Sequence, residues 1–172
     1  MKADSYQTGW DKKKLPAITV GGQFANRRAA SLITPSGLVQ VDFDDSANPR
    51  TDWATVRDSL GQRFEALGLP AFVALSASGW GVFALVYRPQ LIGVYEREGV
   101  DGYLSAHAEE SATITDEAET FTGLVADRSV TKRANGLRFI SADPCPYISG
   151  DFGGVGALGL GANCQKLSNV TQ

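Results

Sequence analysis

The run Leu38-Val39-Gln40-Val41-Asp42-Phe43-Asp44 holds the side chains best spaced to do chemistry. Successive residues of a strand point to opposite faces, so Val39, Val41 and Phe43 share one face while Gln40, Asp42 and Asp44 share the other. Asp42 and Asp44 then stand about 6–7 Å apart on one surface. Like charges so placed repel, and a cation between them removes the repulsion. A hard divalent ion such as Mg²⁺ suits carboxylate oxygens and keeps waters or substrate phosphates as its other ligands, which makes a strand ending in Asp-x-Asp a candidate platform for phosphoryl transfer. The same residues also read as a strand end running into an ordinary turn at Asp45, Ser46, Asn48 and Pro49. The run alone leaves both readings open.

A second candidate is Ser76-Ala77-Ser78-Gly79-Trp80-Gly81. Glycines in a tight connection let backbone N–H groups converge on an anion, and the hydroxyls of Ser76 and Ser78 add donors. A hairpin needs glycine for its backbone angles whether or not it binds anything, so this motif too has a purely structural reading. The single histidine, His107, falls in an acidic helical stretch and reads as an exposed or capping residue. Cys145 and Cys164 carry no activating motif. Trp53 fits an apolar helix face, which leaves Trp80, at the turn, as the tryptophan placed to meet a ligand.

The elements that must position these residues alternate between strand and helix. Strands are expected at Ile18–Val20, at Leu38–Asp44 and at Leu137–Ser141, with a hairpin formed by Phe72–Leu75 and Val82–Tyr87. Thr51 or Asp52 caps a helix to about Leu67, with Trp53, Val56, Leu60, Phe64 and Leu67 at helical spacing. A second helical region, broken near Gly99 and Gly102, reaches about Phe121. The order predicts an α+β or α/β domain, a mixed sheet with helices packed on it, over residues 1–149. Residues 150–172 read as a Gly-rich tail or linker.

At 172 residues, 43% hydrophobic and with a formal charge of −3, the chain suits one globular domain. That balance excludes a histone-like polybasic binder and an acidic disordered tail. Two cysteines and one histidine are too few for a zinc ribbon or finger. They suit a reducing cytoplasm, although one bridge remains arithmetically possible. Met1–Trp10 holds no apolar signal core, and the uncharged stretch from Ala66 to Tyr87 is interrupted by turn chemistry, so no membrane span is expected. The charge is segregated: residues Glu96 to Asp127 carry nine acids against Arg97, a net −8, which leaves +5 for the remainder. The basic groups are Lys12-Lys13-Lys14, Arg27-Arg28, and Lys132-Arg133 with Arg138; each by itself reads as solvated surface and gains weight only beside a site.

Taken together, Lys14-Leu15-Pro16-Ala17-Ile18-Thr19, Gly22, Phe24, Arg27-Arg28, Ser36-Gly37-Leu38, Val41-Asp42-Phe43-Asp44, the Ser76–Gly81 turn, Asp127 and Arg138-Phe139-Ile140-Ser141-Ala142-Asp143-Pro144 resemble the VirE N-terminal-like domain of the archaeo-eukaryotic primase, or primase-polymerase, superfamily. The resemblance runs from Lys12 to Tyr147 and lies in the order and spacing of short motifs. It implies an RRM-like catalytic core and template-dependent nucleotidyl transfer, as a DNA primase or DNA polymerase of phage- or plasmid-type replication, using Mg²⁺ or Mn²⁺. The acidic pair falls on Asp42 and Asp44, and the third acidic position on Asp127, with Asp143 as the runner-up. The phosphate-binding turn falls on Ser76, Ser78, Gly79 and Gly81. Where the family carries His or Lys after that turn this chain has Phe83, and Gly136 stands where related domains have Arg. Arg138 or Arg133 is then expected to supply the positive charge. Lys12, Lys13, Lys14, Arg27 and Arg28 are expected to follow template phosphates, with dNTP or NTP as substrate and a helicase as partner. The competing expectation, favoured by Phe83, is a catalytically degenerate binding module that recruits a helicase.

Overall fold

The fold is described from a computed structural model, which covers residues 17–131, 133–139 and 143–151. Its centre is a four-stranded antiparallel sheet. The strands are β4 (Leu38–Asp44), β5 (Ala71–Leu75), β6 (Gly81–Tyr87) and β8 (Tyr147–Ser149), in the spatial order β4-β6-β5-β8. The helix α1 (Trp53–Ala66) connects β4 to β5, and β6 lies between those two strands, antiparallel to both. This is a split β-α-β unit. After β6 the chain enters α2 (Gln90–Thr122), the short α3 (Arg128–Thr131) and β7 (Leu137–Phe139). Two ribbons complete the described fold. β1 (Ala17–Thr19) pairs with β7, and β2 (Gly22–Phe24) pairs with β3 (Leu32–Pro35). Every ladder among the described residues is antiparallel, so the molecule is α+β, and the parallel sheet of the α/β alternative is not found.

β4 forms where alternation predicts it, and the two faces of the sheet have different fates. Val39, Val41 and Phe43 meet Val73, Val82, Ala84 and Val86 on one face, covered by Trp53, Leu60 and Phe64 of α1 and by Leu91, Tyr103, Ile114 and Ala118 of α2. Removing each large side chain from water there contributes about 1.5–3 kcal/mol. The opposite face carries Leu38, Phe72, Ala74, Phe83, Leu85 and Tyr87, capped by Val20 next to the β1–β7 ribbon. Because the second face is covered too, even Gln40 is buried. The polar half of the alternation runs from buried Gln40 through half-buried Asp42 to exposed Asp44.

Asp52 caps α1 through both carboxylate oxygens, accepting from the backbone N–H and the hydroxyl of Thr55. That pairing lowers the pKa of Asp52. α2 is broken at Gly99, whose φ of 70° and ψ of −158° interrupt the helix, whereas Gly102 remains helical. Much of the acidic segment is neutralised by neighbouring elements: Arg63 pairs with Glu117, Arg88 with Glu110, and Arg128 with Asp116 and Glu119. Among the described residues no helix is long and apolar enough to cross a membrane.

Candidate functional site

Asp42 and Asp44 lie at the C-terminal end of β4, opposite Phe83 and Gly81 of β6. Directly opposed residues share a face, so the ring of Phe83 stands beside the Asp42 carboxylate. Arg138 of β7 reaches into the same space. Its Nη2 lies 2.7 Å from Asp42 Oδ2 and its Nη1 donates to Oδ1 at 3.2 Å, a fork that engages both oxygens. Nε of Arg138 donates to Gln40 Oε1 at 3.3 Å. The guanidinium carbon sits 4.8 Å from the centre of the Phe83 ring, within cation–π range. Phe83 cannot pair with phosphate, but it seats the cation that this part of the chain otherwise lacks.

Burial pushes the Asp42 carboxyl above its ordinary range, and the charges of Asp44 and Asp127 push the same way against the opposing pull of Arg138. Asp44 is exposed. Around these groups lies a small cleft of about 80 Å³, lined by Asp42, Phe43, Asp44, Ser76, Ala77, Ser78 and Arg138. Three segments that are far apart in the chain thus converge at one end of the sheet. The space is well below the roughly 300–1,000 Å³ that encloses a small organic ligand, and it suits a hydrated ion or a phosphate group.

The turn holds its shape with its own donors. Gly79 N–H donates to Ser76 C=O at 2.8 Å, Ser76 N–H to Gly81 C=O at 2.8 Å, and Trp80 N–H to Ser78 Oγ at 3.3 Å. Gly79 has a φ of +73° and open space around it, as the turn requires. Gly81 is needed for a different reason: a Cβ there would fall inside 3.0 Å of the Phe43 carbonyl oxygen, where β6 approaches β4. The two glycines therefore shape the turn, and the serine hydroxyls, 3.0 Å from each other, are what it presents to the cleft.

Asp127 is brought to β4 through the backbone. Its N–H donates to the Asp42 carbonyl at 2.8 Å, and Ala126 forms a bridge with Phe43. The approach is pinned by Asn48, whose side chain donates to the Val125 carbonyl and accepts from its N–H, both at 2.8 Å. The Asp127 carboxylate caps Ser129 N–H at 2.9 Å. Asp143, the runner-up, is engaged elsewhere, accepting from Arg57 and from Leu75 N–H. Among the described residues no three His, Cys, Asp or Glu side chains gather closely enough to hold a metal. Asp42 and Asp44 with the two serines nevertheless make an all-oxygen donor set of the kind a single hard divalent ion accepts. Its fit has one obstacle, the guanidinium already on Asp42.

Beside β7 lies a larger pocket of about 570 Å³, lined by Arg27, Ala29, Leu104, Arg133, Ala134, Asn135, Gly136 and Leu137. Asn135 donates to the Arg27 carbonyl at 2.6 Å and ties its two walls together. Among the described residues neither Arg27, Arg28 nor Arg133 has a carboxylate partner. Lys12, Lys13 and Lys14 lie outside the described residues, as do Cys164 and nearly all of the Gly-rich tail.

Three sequence expectations need correction or addition. His107 is buried rather than exposed: its Nε2 donates to the Leu38 carbonyl at 3.0 Å, its Nδ1 lies 3.4 Å from the Ser111 hydroxyl, and burial lowers its pKa, so it is a strut between α2 and β4. Cys145 is disulfide-bonded, which removes the cysteine argument for a reducing compartment. Gln40 was visible only as a member of the acidic face; its amide orients Arg138, and its Nε2 is buried without a hydrogen-bond partner. No family model, curated protein or solved structure matches the chain.

Proposed function

We propose that this chain is a metal-dependent nucleotidyltransferase of the primase-polymerase type, a DNA primase or polymerase of a phage- or plasmid-type replication system acting in the host cytoplasm. The observation that carries the reading is the convergence of Asp42, Asp44, Ser76, Ser78 and Arg138 on one cleft at the end of a split β-α-β sheet. The order β4-α1-β5-β6-α2 is also that of an RRM-like core. Asp42 and Asp44 would hold Mg²⁺ or Mn²⁺, with waters and nucleotide phosphate completing the shell, and Asp127 stands next to them as the third acidic residue of the family pattern. When bound, such an ion lowers the pKa of an attacking hydroxyl and offsets the charge of the leaving pyrophosphate.

The residues of the chain then divide the remaining work. Arg138, seated on Phe83, supplies the positive charge for phosphate, and the hydroxyls of Ser76 and Ser78 donate to phosphate oxygens. Arg27, Arg28 and Arg133, which lack carboxylate partners among the described residues, meet template phosphates. That contact is independent of sequence and weakens steeply with salt. Manganese-supported extension of a primed template tests the reading. Wild type is expected to incorporate nucleotide and Asp42→Ala/Asp44→Ala to lose incorporation; equal background in both rejects catalysis.

The engagement of both Asp42 oxygens by Arg138 supports a second reading, a degenerate nucleotide or nucleic-acid binding module that recruits a helicase. It predicts binding of a non-hydrolysable nucleotide without turnover, which isothermal titration separates from the first reading.

A further inference from the structure

We infer that Arg138 is a resident counter-ion that occupies the place of the divalent cation on Asp42, so the cleft takes a metal and a phosphate together and holds either one alone poorly. The inference rests on the metal-site reading above. Asp42 and Arg138 are both largely enclosed, with side-chain exposures of 16% and 12%, and a buried carboxylate is costly without a partner. Arg138 supplies that partner in the metal-free chain. Its fork takes one lone pair of each Asp42 oxygen, at 2.7 and 3.2 Å, and its charge repels a second cation on the same carboxylate, so a metal binds well there only once the guanidinium has moved away.

The guanidinium has somewhere to remain once it leaves Asp42. It keeps the Phe83 ring at 4.8 Å and the Gln40 oxygen at 3.3 Å, neither of which involves the carboxylate. From that seat it borders the cleft lined by Ser76 and Ser78, where a phosphate oxygen would replace the carboxylate as its acceptor. Exchange of partners then links the two ligands: the phosphate draws Arg138 away and the metal takes Asp42. Such coupling is reciprocal, each ligand raising the affinity for the other by the same factor. Arg138 is thus a positioning residue for the metal and a contact for the anion. Phe83, standing where the resembling family carries a base, is the seat that makes the exchange possible.

The test is Mn²⁺ binding, read from the free-ion electron paramagnetic resonance signal, for wild type, R138Q, D42N and R138Q/D42N. Sulfate serves as the phosphate stand-in, with ionic strength matched by chloride. R138Q is expected to bind Mn²⁺ more tightly than wild type, on the order of tenfold, because the carboxylate is uncovered. Sulfate is expected to raise wild-type affinity and to leave R138Q unchanged, and D42N to abolish the gain of R138Q. If R138Q does not fold, R138K, which keeps the charge but lacks the fork, is expected to bind Mn²⁺ more tightly than wild type. A purely structural role for Arg138 predicts unchanged or weaker Mn²⁺ binding in both variants. That result overturns the inference while leaving the metal site intact, provided that wild type binds Mn²⁺ and D42N alone does not. No Mn²⁺ binding in any protein removes the metal-site reading, and the inference with it.

Discussion

Replacing Gly81 by alanine separates two reasons for a glycine at the cleft. If the residue serves to bring backbone N–H groups to an anion, alanine changes binding and leaves stability alone. The geometry assigns it to the close approach of β6 to β4 instead. A Cβ on Gly81 meets the Phe43 carbonyl oxygen inside 3.0 Å, and the Phe43 carbonyl carbon and Asp44 Cα at 3.4 Å. All three are backbone atoms, so none can rotate away, and the Asp44–Gly81 end of the ladder has to open. Forcing a methyl group into such a contact costs about 1–3 kcal/mol. The stiffer unfolded chain returns about 0.4–1 kcal/mol. The balance is a loss of about 1–2 kcal/mol, or roughly 2–8 °C in Tm for a chain of this length. Urea unfolding with an unchanged m-value, together with calorimetry, measures it. Opening the ladder also moves Asp44, so Mn²⁺ affinity is expected to fall in the same variant. A wild-type Tm with lost anion binding refutes the packing argument.

Other substitutions test the rest of the scaffold. Gly61 and Gly93 both lie within helices, where alanine gains up to about 1 kcal/mol by propensity. A Cβ on Gly61 would strike the Tyr147 ring and Cβ, whereas on Gly93 it meets only the tip of Arg97 at 3.3 Å. Chemical denaturation is therefore expected to show Gly61→Ala destabilised and Gly93→Ala stabilised; a shared sign contradicts the packing of β8 on α1. Burial holds His107 below the ordinary imidazole pKa, and the groups facing it are Tyr103, Ser111 and the Leu38 carbonyl. Below about pH 6.5 the unfolded chain takes up a proton more readily than the folded chain, so stability falls as the pH drops through that range. Since His107 is the single histidine, His107→Gln is expected to flatten that slope in pH-dependent melts; an unchanged slope contradicts it.

Legibility in the sequence followed the range of the interaction. β4 was readable because the Leu38–Asp44 alternation is local, and α1 because Asp52 and the Trp53, Leu60 and Phe64 spacing declare it. β2, β3 and β8 are three or four residues long and hold too few periods to announce themselves. α2 was legible as a helix, but its buried face includes His107, Ser111 and Thr115, so a search for apolar periodicity misplaces the histidine. The carboxylate pair was visible, whereas its partner is 96 residues away and only β7 brings it there. The charge imbalance could be counted from the sequence, yet its meaning depended on Arg63, Arg88 and Arg128 pairing back onto α2.

On the proposed function, the Asp42–Asp44 cleft takes a divalent cation together with phosphate. Anomalous scattering from crystals of the protein grown with Mn²⁺ and a non-hydrolysable nucleotide tests it most directly. A manganese peak is expected within about 2.5 Å of carboxylate oxygens of both Asp42 and Asp44, with Arg138 turned from Asp42 to a phosphate oxygen. Nucleotide bound elsewhere, or no manganese at these carboxylates with Arg138 still forked onto Asp42, contradicts it.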